Sequence, residues 1–108
     1  MNAEVRIASG SLYLPAALYA AYFQACDSVA LIADDAGLAL LPLRSANHGG
    51  LLLKQRNAHG DRVIHAAEFL RAHGIDDREQ HTCSAIWDAD AGALRLRAPT
   101  ISAPDAAR

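Results

Sequence analysis

The chain has 108 residues, with 10 basic side chains, 12 acidic ones and a net charge of −2. This excludes the global positive field of many nucleic-acid or membrane binders and leaves any such contact to a local patch. Hydrophobic residues make up 52% and aromatics 6%, so one compact domain with an alanine-rich core is the expectation. Two cysteines, Cys26 and Cys83, are too few for a disulfide framework and read as small buried apolar residues in a reducing compartment.

From the N-terminus, residues 1–6 lack the pattern of a signal peptide. Residues 12–25 are apolar but hold Pro15 and are too short to span a bilayer, so a cytoplasmic location with no membrane contact is expected. Val5 and Ile7 alternate with Glu4 and Arg6, which predicts a strand over 3–8. Ser9-Gly10-Ser11 breaks it. Leu12-Tyr13-Leu14 is extended ahead of Pro15, which fits the first position of a helix over 16–24. Residues 28–32 predict a strand, Asp34-Asp35-Ala36-Gly37 a turn, and residues 38–41 the returning strand, ended by Pro42. Residues 44–50 read as a flexible linker.

The same order of elements then recurs. Residues 51–56 predict a strand, 57–61 a loop, 62–64 an extended piece, and 66–73 a helix capped by Gly74. Asp76 to Gln80 is a polar insertion. A second hairpin follows, with Ala85-Ile86-Trp87, a turn through Gly92, and Ala93 to Arg97, where Leu94 and Leu96 face one way and Arg95 and Arg97 the other. Gly10 to Tyr19 lies over Gly60 to Phe69 at an offset of 50, and Asp35-Ala36-Gly37 over Asp90-Ala91-Gly92 at an offset of 55. The expected organisation is a single domain over 1–98: repeat one at 3–43, linker 44–50, repeat two at 51–98, then a flexible tail at 99–108. The fold class is α+β, two β-α-β-β repeats sharing one small barrel. Aligning the hairpins on their glycines sets Leu40 against Arg95 and Leu38 against Ala93. This predicts an exposed apolar face at Leu38 and Leu40 that serves as an oligomer interface.

The stretch from Leu53 to Ile75 resembles the swapped-hairpin family of AbrB-type transcription regulators. It carries a basic strand (Lys54-Gln55-Arg56), a Gly-Asp-Arg turn (Gly60-Asp61-Arg62), a short hydrophobic strand, a helix with Leu70-Arg71, and Gly74-Ile75 ahead of a hairpin. His65 stands where the family usually has proline. The tandem pair is similar to the arrangement in MraZ proteins, which hold two such modules and form rings. The resemblance implies interleaved repeats and DNA binding through the basic first strands and adjoining loops. The matching positions are Lys54, Arg56, Asn57, His59 and Arg62, with Arg6 at the spot equivalent to Arg56.

The five histidines form no metal-ligand spacing, the aspartates fall in turns, and there is no nucleophile elbow, P-loop or dinucleotide fingerprint. The expectation is therefore a non-enzymatic homo-oligomer with no cofactor, metal or small-molecule substrate. DNA is the leading partner, and the alternative is an assembly module with the same fold and no DNA binding. The bland alternative for the basic segment is a solvated strand and turn.

Overall fold

A computed structural model describes residues 3–34, 37–43 and 50–97. Asp35 and Ala36 of the expected first turn, linker residues 44–49 and the tail lie outside the described residues. The chain folds into a mostly β, nearly closed barrel-shaped sheet with two short helices. The strands are β1 (Ala3–Ala8), β2 (Ser11–Leu14), β3 (Ser28–Asp34), β4 (Gly37–Leu43), β5 (Leu51–Leu52), β6 (Lys54–Gln55), β7 (Arg62–His65), β8 (Gln80–Asp88) and β9 (Ala93–Arg97). Their order in the sheet is β5-β3-β4-β9-β8-β1-β2-β7-β6, with all pairings antiparallel. The two ends of this order, β5 and β6, are consecutive pieces of one extended segment. Its first half pairs with β3 and its second half with β7. At the switch point Leu53 donates its N–H to the carbonyl of Asp27 at 2.9 Å. The sequence predicts one strand over 51–56; the barrel splits it because the segment serves two neighbours.

The inward residues follow the period of two. Val5, Ile7, Leu12, Leu14, Val29, Leu40, Ile64, Cys83, Leu94 and Leu96 meet in one core, closed at its ends by Leu18, Phe23 and Leu70 from the helices. Each fully buried large side chain contributes on the order of 2 kcal/mol of transfer free energy. Cys26 and Cys83 are free and buried, and burial pushes the Cys83 thiol up to about 11.

Two turns show how local chemistry sets the strand geometry. β1 and β2 are joined by Ser9 and Gly10, both at positive φ (53° and 78°), the mirror-image turn whose twist suits a two-residue hairpin. The first helix, α1, opens after Pro15 as a single α-turn (Ala16–Leu18) and widens into a π-helix over Tyr19–Phe23. The second, α2 (Ala67–Ala72), ends at Gly74 (φ 86°), where the Ile75 N–H returns to the Leu70 carbonyl at 2.8 Å. Among the described residues, no helix is long and apolar enough to cross a membrane.

Two sequence expectations are corrected. Leu38 and Leu40 do not form an exposed face: they are 9% and 0% exposed and sit opposite Leu96 and Leu94 inside the barrel. The glycine alignment misled because the hairpin turns differ in length. Gly37 is a strand residue paired with Asp34, whereas Gly92 lies within a longer turn closed by Asp88 and Ala93. Leu40 is therefore in step with the inward-facing Leu94 and Leu96 and not with Arg95 between them. Pro42 does not end the pairing either, since it lies opposite Val29 and β4 continues to Leu43. The ladder to β9 reaches only as far as Leu40, so no strand bond on that side needs a proline N–H.

Candidate nucleic-acid interface

Alternation that buries Val5 and Ile7 turns Arg6 outward, and alternation that buries Leu12 and Leu14 turns Tyr13 outward. The register then builds a single row across five strands on the outer face: Thr82, Arg6, Tyr13, Val63, Lys54, with Val63 itself buried beneath its neighbours' side chains. With strands about 4.8 Å apart, the row spans about 19 Å. The Arg6 guanidinium lies 4.3 Å from the centre of the Tyr13 ring. Arg56 reaches the same ring from the β6 side, 4.9 Å from its centre. Around them runs a groove of about 290 Å³ lined by Glu4, Arg6, Tyr13, Leu14, Pro15, Arg56, Asp61 and Thr82.

The loop after β6 is held in shape by its own side chains. The Arg56 N–H donates to the Asp61 carbonyl at 2.8 Å. Asn57 Oδ1 accepts from the backbone N–H groups of His59 (3.0 Å) and Asp61 (3.2 Å), and its Nδ2 donates to Asp61 Oδ2 at 3.0 Å. Both ends of the Asn57 amide are thus engaged in bracing the loop. His59 stays exposed on that loop. Asp61 Oδ1 accepts the Ala16 N–H at 2.8 Å, which caps the start of α1 from 45 residues further along the chain. The Asn57 hydrogen bond, then the Ala16 N–H, with His59 and Arg56 nearby, hold the Asp61 carboxyl below the usual carboxylate range.

Six of the described arginines divide into two groups, and the exposed Arg97 belongs to neither. Arg71, Arg78 and Arg95 each hold a carboxylate, on Asp77, on Asp76, and on Asp34 and Asp88. Among the described residues, Arg6, Arg56 and Arg62 have no such ion pair and lie over tyrosines instead. Arg62 sits 3.9 Å from the centre of the Tyr19 ring and donates from Nη1 to the Gly60 carbonyl at 3.0 Å. The structure therefore brings Arg6, Arg56 and Lys54 to one outer surface and sets Arg62 beside α1, on a second tyrosine. The sequence reading missed Tyr13 and Tyr19. Tyr13 was legible as the outward residue between two inward leucines of a strand next to a basic one.

Guanidiniums stacked on aromatic rings keep their N–H forks turned to solvent, a geometry suited to phosphate oxygens and to planar bases. Two carboxylates, Glu4 and Asp61, share the groove and oppose an anion there. Beyond the groove, the buried Ser11 Oγ and His65 Nδ1 are 3.0 Å apart and tie β2 to β7. Among the described residues, no three His, Cys, Asp or Glu side chains converge as a metal site would require.

No family model, no curated protein and no solved structure matches this chain.

Proposed function

We propose that the protein is a small nucleic-acid-binding regulator of the AbrB/MraZ type, non-enzymatic and homo-oligomeric, built from two interleaved β-α-β-β units at 3–43 and 51–98. The cross-strand register supports the duplication. Ser28 opposite Leu43 has its counterpart in Ser84 opposite Arg97, and Leu31 opposite Leu40 in Trp87 opposite Leu94. Between the units, Ala3 opposite Ala85 is matched by Leu51 opposite Val29. Arg6 opposite Tyr13 is matched by Lys54 opposite Val63. Each unit's first strand thus pairs with the other unit's third, as interleaving requires. Arg6 and Lys54 become equivalent positions, both basic.

One observation carries the DNA reading: two arginines without carboxylate partners among the described residues, Arg6 and Arg56, meet over Tyr13, whose row also holds Lys54. With so few phosphate contacts per chain, affinity would be modest and salt-sensitive, falling with a log–log slope of about −0.9 per phosphate neutralised. An oligomer presenting several copies gains by avidity. The test is fluorescence anisotropy of a labelled duplex across a salt series. Binding at low salt that weakens along this slope supports the reading; absence of binding at the lowest salt, with circular dichroism showing a folded protein, would falsify it.

The assembly reading is favoured by a different row. Ile32, Ala39, Arg95 and Ile86 lie side by side on the outer face of β3, β4, β9 and β8; Ala39 is buried, while Ile32 is 40% and Ile86 53% exposed. Sedimentation equilibrium of Ile86→Asp decides it: an oligomer that survives the substitution removes this surface from the interface.

A further inference from the structure

The groove beside Tyr13 is lined by two carboxylates that differ in their commitments, and every residue lining it lies within the described part of the chain. Both oxygens of Asp61 are engaged, Oδ1 by the Ala16 N–H and Oδ2 by Asn57 Nδ2. Among the described residues, the Glu4 side chain takes part in no hydrogen bond or ion pair. Glu4 is exposed on the outer face of β1, two residues from Arg6 and opposite the small Ser84 of β8. On its other side β2 has ended. The β1–β2 ladder starts at Arg6 opposite Tyr13, and Pro15 leads the chain into α1.

A free carboxylate repels any phosphate brought near it, so Glu4 works against a site that only holds a nucleic-acid backbone. It suits the donor edge of a base. Unpaired guanine presents two adjacent donors, N1–H and the N2 amino group, which match the two oxygens of a carboxylate. Adenine and cytosine set an amino group beside a ring-nitrogen acceptor, and thymine sets one N–H between two carbonyls. Each of these three brings a lone pair toward Glu4. In a duplex the guanine donors are taken by cytosine, so only an unpaired guanine offers them. The neighbouring groups fit the same ligand. Arg6 and Arg56 lie over Tyr13 in this groove, and bases splayed out of a strand stack on aromatic rings and guanidinium planes. At about 290 Å³ the groove is at the small end of ligand sites, which suits one base.

We propose that this groove takes up one unpaired guanine of a nucleic-acid strand, stacked on the arginine–tyrosine group and bonded through N1–H and the N2 amino group to Glu4. This rests on the nucleic-acid reading above and adds to it the form of the strand and the base. Lys54 stands three strands from Glu4 in the sheet and one row away, about 15 Å, and is left for a phosphate of the same strand. That separation favours a strand over a free nucleotide.

The test is fluorescence anisotropy of the full chain with three labelled DNA probes at low salt: a thymine dodecamer, the same dodecamer with one central guanine, and a duplex. The wild type is expected to bind the guanine dodecamer at least tenfold more tightly than the thymine one (about 1.4 kcal/mol). Inosine in place of guanine removes the N2 amino group and should lose most of that preference. Glu4→Gln separates base reading from plain repulsion, because the two act in opposite directions. It should erase the guanine preference while tightening the thymine dodecamer and the duplex. Asp61→Asn should tighten all three probes and keep the preference. Equal binding of the two dodecamers by the wild type overturns the inference, and a duplex that still binds along its salt slope then leaves the DNA reading standing. A guanine preference that survives Glu4→Gln overturns it as well. Displacement of the guanine dodecamer by an equal concentration of guanosine monophosphate assigns the groove to a free nucleotide and overturns the strand. Guanine-dependent binding without duplex binding upholds the inference and overturns the duplex reading. No binding of any probe by the folded protein removes both.

Discussion

Arg6 and Tyr13 face each other across β1 and β2, with the guanidinium 4.3 Å from the ring centre, and the Arg56 guanidinium approaches the same ring at 4.9 Å. If this is where nucleic acid is held, Arg6→Ala and Arg56→Ala each weaken duplex binding and each reduce the salt slope by about 0.9. Tyr13→Ala removes no charge, so it should lower affinity with the slope unchanged, through loss of a stacking support of about 0.5–1 kcal/mol. Arg71→Ala is the control, because Asp77 already holds that guanidinium. Anisotropy titrations in which Arg6→Ala behaves like Arg71→Ala would remove the interface from this surface.

The frame of this site was readable before any coordinates, and its composition was not. Alternation of Val5 and Ile7 with Glu4 and Arg6 set the direction of Arg6, and the offset of 50 between Gly10 and Gly60 set Arg6 over Arg56, where the strand register sets it over Lys54. What periodicity could not give was the pairing of β2 with β7, which joins Tyr13 to Val63 and sets Arg6 and Lys54 on either side of it. Nor could it give Asn57 its structural task, because an asparagine that braces a loop and one that reads a base look alike in sequence. The hairpin error at Leu40 has the same origin. A glycine marks a turn but not its length, and one residue of slip moves a side chain from the surface to the core.

Asp61 links the groove to the stability of α1. Its folded pKa lies below its unfolded value, so it contributes stability above the unfolded pKa of about 3.8 and loses that contribution as pH falls through the lower folded value. Asp76, held down to about 2 by Arg78, adds in the same direction and window. Urea melts from pH 6 down to pH 2 should therefore show stability falling below about pH 4. Asp61→Asn keeps an acceptor for the Ala16 N–H but not the charge, so its fall with pH should be shallower than that of the wild type. The same substitution removes a negative charge beside Arg56 and should tighten DNA binding at neutral pH. An equally steep acid fall in Asp61→Asn would show that this carboxylate is not coupled to folding.

Leu40 and Leu94, opposite each other and both fully buried, form the last pair of the β4–β9 ladder. Truncating either one leaves a cavity that the surrounding strands cannot fill, so Leu40→Ala and Leu94→Ala should each cost about 2–5 kcal/mol in chemical denaturation. Because the two side chains share one space, the double variant should depart from the sum of the singles by about 0.5 kcal/mol or more. A loss below about 1 kcal/mol for Leu40→Ala would restore it to the surface, where a truncation of this kind changes little.

Gly10 tests how closely the β1–β2 turn is held against α2. Its carbonyl accepts the Ala66 N–H at 2.9 Å, and a Cβ added to it would lie 2.9 Å from the Cβ of Ala67 and 3.3 Å from its Cα. Gly74 has nearly the same backbone, φ 86° against 78°, but a Cβ there meets nothing within 4 Å. Both alanine substitutions bear the cost of a left-handed conformation, about 1–2 kcal/mol. Only Gly10→Ala adds a collision with a neighbouring helix that is itself bonded to the turn. Thermal melts should therefore place Gly10→Ala well below Gly74→Ala, and the difference measures the turn–helix contact separately from the backbone preference. Equal melting temperatures for the two variants would mean that α2 gives way at no cost, and that the contact between the first hairpin and the second helix is loose.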